Sequence, residues 1–160
     1  MSTNNPRNKP AGGDAIDGLI IAAFGRHYEV ATVAGRLRCY TRGKKSSFAC
    51  GDHVMVTPGG DDQGVIDTLK PRRNLLRRSD AFREKLIAAN LSHILIVVAT
   101  EPGFSDLLVS RCVAAAESQD ITPIIILNKA DLGDRLAFSR AQLAPFRALG
   151  YEVIEASALH

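Results

Sequence analysis

Between Gly18 and Leu69 the chain offers five short β-rich runs and no stretch of helical periodicity, and this constrains its fold more than anything else in the 160 residues. The runs are Gly18–Ala23, His27–Val33, Arg36–Thr41, Asp52–Thr57 and Gly64–Leu69. Gly25, Ala34-Gly35, Arg42-Gly43-Lys44 and Pro58-Gly59-Gly60-Asp61-Asp62 supply the breaks. Strands this short and this closely spaced predict a small closed barrel of the OB type, with an SH3-like barrel as the structural competitor.

The texture changes at about Leu86. Ile94–Ala99 is a continuous apolar run of the kind buried on both faces of a parallel sheet. Ser105 is placed to cap a helix reaching about Ser118, with Leu108, Cys112 and Ala115 on one face. Ile124–Leu127 is a second buried strand. Ser139 and Gln142 have capping-box spacing for a helix ending before Gly150, and Glu152–Glu155 is a third strand. Strand, helix, strand, helix, strand is an α/β layout. Four segments are therefore expected: a disordered tail over 1–14, a barrel over 15–70, a basic connector over 71–85 and a partial α/β domain over 86–160.

Charge follows the same division. Residues 1–90 carry 15 Lys and Arg against 9 Asp and Glu, whereas residues 91–160 carry 5 against 8. A basic first module suits a polyanionic partner or a solvated charged face. Arg36, Arg38, Tyr40, Arg42, Lys44, Lys45 and Phe48 interleave charge with rings, as on barrels that hold RNA backbones and stack bases. A hairpin with core rings and solvated cations would read alike. No apolar run approaches the ~20 residues of a membrane span, and the first residues contain no apolar block of a secretory signal. Cys39, Cys50 and Cys112 match no zinc spacing and suit reduced thiols in the cytoplasm. His27, His53, His93 and His160 stand isolated, and no catalytic residue is assigned.

The sharpest motif is Ile124-Ile125-Ile126-Leu127-Asn128-Lys129-Ala130-Asp131. An apolar strand runs directly into Asn-Lys-x-Asp, the guanine-reading pattern of GTPases. Guanine presents an N1–H and a 2-amino group on one edge, and the Asp131 carboxylate can accept from both. Lys129 can lay its aliphatic stem over the purine face. Asn128 can bond the acceptor edge of the base or tie neighbouring loops together. One helix and one strand later, Ser157-Ala158 follows an apolar run and resembles the loop whose backbone N–H approaches the guanine carbonyl oxygen. The phosphate-binding pattern Gly-x-x-x-x-Gly-Lys-[Ser/Thr] does not occur. Gly43-Lys44-Lys45-Ser46 has Arg38 where the first glycine would stand and reads as a basic hairpin turn.

A barrel, then Asn-Lys-x-Asp, then Ser-Ala resembles the ribosome small subunit-dependent GTPase A family, whose GTPase domain is circularly permuted. Arg42-Gly43-Lys44, Gly51-Asp52-His53-Val54, Pro71-Arg72-Arg73-Asn74-Leu75-Leu76-Arg77-Arg78, Ala88-Ala89-Asn90, Pro102-Gly103-Phe104 and Pro123–Leu132 carry the resemblance in order. Leu91-Ser92 departs from it, standing where the family usually has an acidic residue. The resemblance implies an N-terminal part of a GTP-hydrolysing factor of late small-subunit maturation, with the phosphate loop beyond His160 and this piece inactive alone. It implies GTP or GDP at Asn128, Lys129, Asp131, Ser157 and Ala158. It further implies ribosomal RNA at the barrel, magnesium and zinc held by residues outside this chain, a cytoplasmic location, and no membrane or oligomer requirement. The alternative is a non-enzymatic OB-fold RNA-binding protein.

Overall fold

The structure, a computed structural model, describes residues 14–43, 48–79 and 84–159. The chain divides into two compact units, Met1–Asn90 and Leu91–His160.

Five strands close the barrel of the first unit: β1 (Ile16–Ala23), β2 (Tyr28–Thr32), β3 (Gly35–Thr41), β4 (His53–Pro58) and β5 (Gln63–Leu69). Their order is β1-β2-β3-β5-β4, with β4 returning to β1 and β3 parallel to β5. This is the OB-like arrangement rather than the SH3-like competitor. Alternation selects the interior: Ile20, Tyr28, Val30, Leu37, Cys39, Val54, Val56 and Ile66 point inward and form one core. Phe48 packs against that core, its ring edge-on to Tyr28 at 5.7 Å. It is therefore a packing residue and not part of the surface pattern expected of it. Burial pushes the Cys39 thiol up to about 11.

The connector expected over 71–85 is in part a hairpin. β6 (Leu75–Ser79) pairs antiparallel with β7 (Glu84–Ala89). Its sequence carries too many cations to show an apolar face, because the hairpin is held by polar contacts to the barrel. Asp52, fully buried, accepts two hydrogen bonds of 2.7 Å from the Arg72 guanidinium and one of 2.8 Å from the Ala49 N–H. The Asn90 side chain donates to Gly51 O at 2.8 Å and accepts from the Arg73 N–H at 2.8 Å. Gly51 has φ +88, and a Cβ there would stand 2.1 Å from Ala89 O, so no other residue fits.

The second unit is a parallel sheet in the order β10-β9-β8, formed by β8 (His93–Ala99), β9 (Thr122–Asn128) and β10 (Glu152–Glu155). Helices α1 (Asp106–Glu117) and α2 (Gly133–Ala148) join them. Ser105 caps α1 as expected, accepting from the Leu108 N–H. The buried stripe of α1, however, is Val109, Val113 and Ala116, one residue on from the expected face; Leu108 is exposed. The Ser139–Gln142 capping box does not form. α2 begins at Gly133, and Ser139 lies inside it on the packed stripe with Leu143 and Phe146. The continuous apolar runs misled in a similar way. Both helices pack against Ile96, Ile125 and Leu127, while Leu95 and Val97 on the opposite face are exposed.

Asp52→Ala removes the acceptor of a buried guanidinium contact and is expected to cost about 3–5 kcal/mol. Chemical denaturation of the first unit, beside an exposed-site control such as Asp61→Ala, measures it.

Candidate functional site

Because the three strands of the second unit run parallel, their carboxyl ends gather at one edge, where α/β sheets bind ligands. The Asn128–Asp131 loop leaves β9 there, between Thr100-Glu101 after β8 and Ala156–Ala158 after β10.

Two hydrogen bonds lock the β9 and β10 loops together. Ala156 N–H donates to Leu127 O at 2.9 Å, and Ala130 N–H donates to Ala156 O at 3.0 Å. Asn128 Oδ1 accepts from the Lys129 N–H at 2.8 Å and from the Ala158 N–H at 3.2 Å. Of the two roles open to Asn128, the geometry displays the tying of loops. Lys129 stands at φ +60, a left-handed turn that directs its stem back across the sheet edge. Its Nζ donates to Glu101 O at 2.7 Å, so the stem is fixed at both ends. Thr100, almost fully buried, donates from Oγ1 to Lys129 O at 2.9 Å. Asp131 lines a cleft of about 370 Å³ with Glu101, Leu132, Gly133, Asp134 and Arg135. Arg135 and Glu101 pair at its rim at 3.1 Å. Ser157 is half-buried and its Oγ accepts from the Leu159 N–H at 3.4 Å.

The loops thus bring Asn128, Lys129 and Ala158 into one bonded network, with Asp131 in the adjoining cleft. Thr100 and Glu101 were not singled out from the sequence. Their only signal was position, directly after an apolar strand that neighbours the motif strand.

Glu155 ends β10 at this same edge. Arg140 grips its carboxylate with bonds of 2.9 and 2.7 Å, and Arg147 adds one of 3.2 Å. The Arg140 bonds hold its pKa down at about 2, with Arg147 contributing and partial burial opposing.

On the barrel, Arg36, Arg38 and Tyr40 alternate along the outer face of β3, all three exposed. Arg42 pairs with Asp67 at 2.9 Å, which partly neutralises it. Lys44 and Lys45 lie outside the described residues. Among the described residues no group of three or more His, Cys, Asp or Glu side chains is placed to hold a metal ion. No described helix is long and apolar enough to cross a membrane.

An OB-like barrel followed by a parallel α/β unit with this motif order defines the class of circularly permuted GTPases. The crystal structure of YloQ, described as a circularly permuted GTPase, superposes with a TM-score of 0.67 at 26% identity, over 95% of this chain and 55% of that one. YjeQ from Thermotoga maritima gives 0.69 at 25% identity, over 91% and 52%. The chain belongs to the RsgA GTPase family, whose model matches residues 69–160. The small ribosomal subunit biogenesis GTPase RsgA of Burkholderia pseudomallei (strain 668) is 52% identical over 153 residues, 93% of this chain and 49% of the relative. That of Bordetella pertussis is 55% identical over 143 residues, 89% and 48%. The chain spans about half the length of these curated relatives.

Glu155→Gln is expected to lower the stability of the second unit by about 1 kcal/mol at neutral pH. A carboxylate with a depressed pKa stabilises the fold above its ordinary value, 4.5, and that contribution is lost as pH falls towards about 2. Denaturation curves of the two proteins should therefore separate above pH 4.5 and converge near pH 2.

Proposed function

We propose that this chain is the guanine-selecting and RNA-contacting part of a factor that binds and hydrolyses GTP on the small ribosomal subunit during its late maturation, in the cytoplasm. The observation that carries the reading is the Asn128–Asp131 loop, braced by Thr100, Glu101 and Ala156 at the carboxyl edge of a parallel sheet, in a chain of the RsgA GTPase family. The names of the relatives, small ribosomal subunit biogenesis GTPases, support the wider assignment.

In this reading Asp131 accepts from guanine N1–H and the 2-amino group. Adenine has neither donor at those positions and would forfeit both of those bonds, a mismatch that hydrogen-bonding sites reject strongly. The Lys129 stem, pinned through Nζ, supports one face of the purine. Asn128 holds the Ser157-Ala158 loop at the distance the base requires. The backbone N–H of Ala158 or a neighbour meets the guanine carbonyl oxygen. Arg36, Arg38, Tyr40 and Arg42, with Lys44 and Lys45, contact ribosomal RNA from the barrel. The phosphate-binding and hydrolytic steps belong to the complete protein, and no residue of this chain is assigned to them.

Calorimetry on the full-length protein tests the base site. GDP should bind on the order of 10⁴-fold more tightly than ADP. Asp131→Asn exchanges an acceptor for a donor and should shift preference from guanosine to xanthosine diphosphate, whose 2-oxo group accepts a hydrogen bond. Equal affinity for GDP and ADP, untouched by the substitution, would reject the assignment.

Co-sedimentation with small subunits tests the barrel. Arg36→Glu combined with Arg38→Glu should weaken binding and flatten its dependence on salt, because fewer counterions are released from the RNA. Unchanged pelleting across a salt series would remove the barrel from the interface.

A further inference from the structure

A second cleft, of about 350 Å³, lies on the barrel and is lined by Phe24, His27, Glu29, Arg36, Leu37, Arg38 and Asp62. Apart from Leu37, which belongs to the core, these residues come from the β1–β2 turn, the outer face of β2 and β3, and the β4–β5 turn. On five-stranded OB barrels the same three places take oligonucleotides. The turn is tight: Phe24 N–H donates to His27 O at 2.9 Å, Arg26 N–H donates to Phe24 O at 2.8 Å, and Gly25 supplies φ +71. That geometry throws the Phe24 and His27 side chains to the same side. Their rings stack at 5.0 Å with an interplanar angle of 18°, and the Tyr40 ring follows 6.2 Å beyond His27.

Three rings in a row at a barrel surface need an explanation. They are not core: the core has its own ring pair, Tyr28 and Phe48. Phe24 stays 53% exposed and Tyr40 39% exposed, so both ends of the row are open to solvent. The middle ring is fixed. The Arg38 guanidinium stands 3.2 Å from His27 Nε2 and bonds it there. Arg38 keeps its charge in that bond. Among the described residues neither Arg36 nor Arg38 forms an ion pair. Glu29 and Asp62, on the same cleft, would repel a phosphate but can accept from the amino and imino groups of a base.

We infer that the Phe24–His27–Tyr40 row is a stacking platform for an unpaired base of single-stranded RNA, with Arg36 and Arg38 taking the adjoining phosphates. The inference rests on the reading of the barrel as an RNA-contacting surface and narrows it. A duplex keeps its bases stacked and out of reach of side-chain rings, so a platform of this kind selects loops and unpaired strands.

Tryptophan is absent from this chain, so Phe24→Trp installs one indole on the platform, excited selectively at the red edge where the three tyrosines do not absorb. Its fluorescence should be quenched on titration with a single-stranded RNA of about ten nucleotides and left unchanged by the blunt duplex of the same sequence. Phe24→Ala should weaken single-strand binding about tenfold at an unaltered salt slope, since a stacking contact releases no counterion. Phe24→Tyr should restore it. Arg36→Ala with Arg38→Ala should instead reduce the slope. Should Phe24→Ala bind like the native protein while the arginine pair still weakens binding, the platform is overturned and the RNA-contacting barrel stands. Equal quenching by single strand and duplex also overturns it. Failure of the native protein to bind either RNA or the small subunit overturns both.

Discussion

A carboxylate shut away from water must be given a cation and its remaining lone pairs filled, and in the first unit that requirement falls on Asp52. Its partners, Arg72 and the Ala49 N–H, come from opposite sides in sequence. Satisfying one charge therefore fastens the segment after β5 against the turn before β4. Gly51 and Asn90 extend the node to the end of β7. Replacing such a pair by apolar groups often costs little, but removing one member leaves a buried charge alone. The barrel and the hairpin are thus one unit because an electrostatic debt has to be settled locally.

The second unit is organised by direction rather than charge. Parallel strands put all their carboxyl ends on one side, and α1 and α2 supply the crossovers that bring each strand back in the same direction. The loops that result are stitched across strands, β8 to β9 by Thr100 and Lys129, and β9 to β10 by Ala130, Ala156 and Asn128. In the reading proposed above, residues usually thought of as touching a base also hold their neighbours in place.

Much of this was legible in the sequence. Five short strands between Gly18 and Leu69 and the strands at Ile124 and Glu152 stand within one or two residues of where alternation and apolar runs put them. The Ser105 cap is a local contact and could be read locally. What could not be read depended on partners remote in sequence. The hairpin over 75–89 hides its purpose because the Asn90 side chain at its end bonds backbone groups seventeen and thirty-nine residues away. The α1 stripe is off by one residue because Leu108 and Val109 are equally apolar, and only the sheet decides between them. Ser139 looks like a cap until the stripe of Leu143 and Phe146 is seen to need a small neighbour. The Asn-Lys-x-Asp motif announced its place, while the braces at Thr100 and Glu101 carried no motif. The ring row on the barrel was half visible through Tyr40, and Phe24 and His27 joined it only through the turn.

The pinned Lys129 stem has a consequence for how quickly the cleft can be used. A loop that orders itself around each arriving molecule spends part of its binding free energy on lost rotamers, and must melt again before release. Here those rotamers are frozen when the chain folds, by bonds to Glu101 and Ala158 that need no visitor. If a guanine nucleotide occupies the cleft as proposed, its entry and departure need no rebuilding of the walls, and residence time is left to whatever grips the rest of the molecule outside this loop.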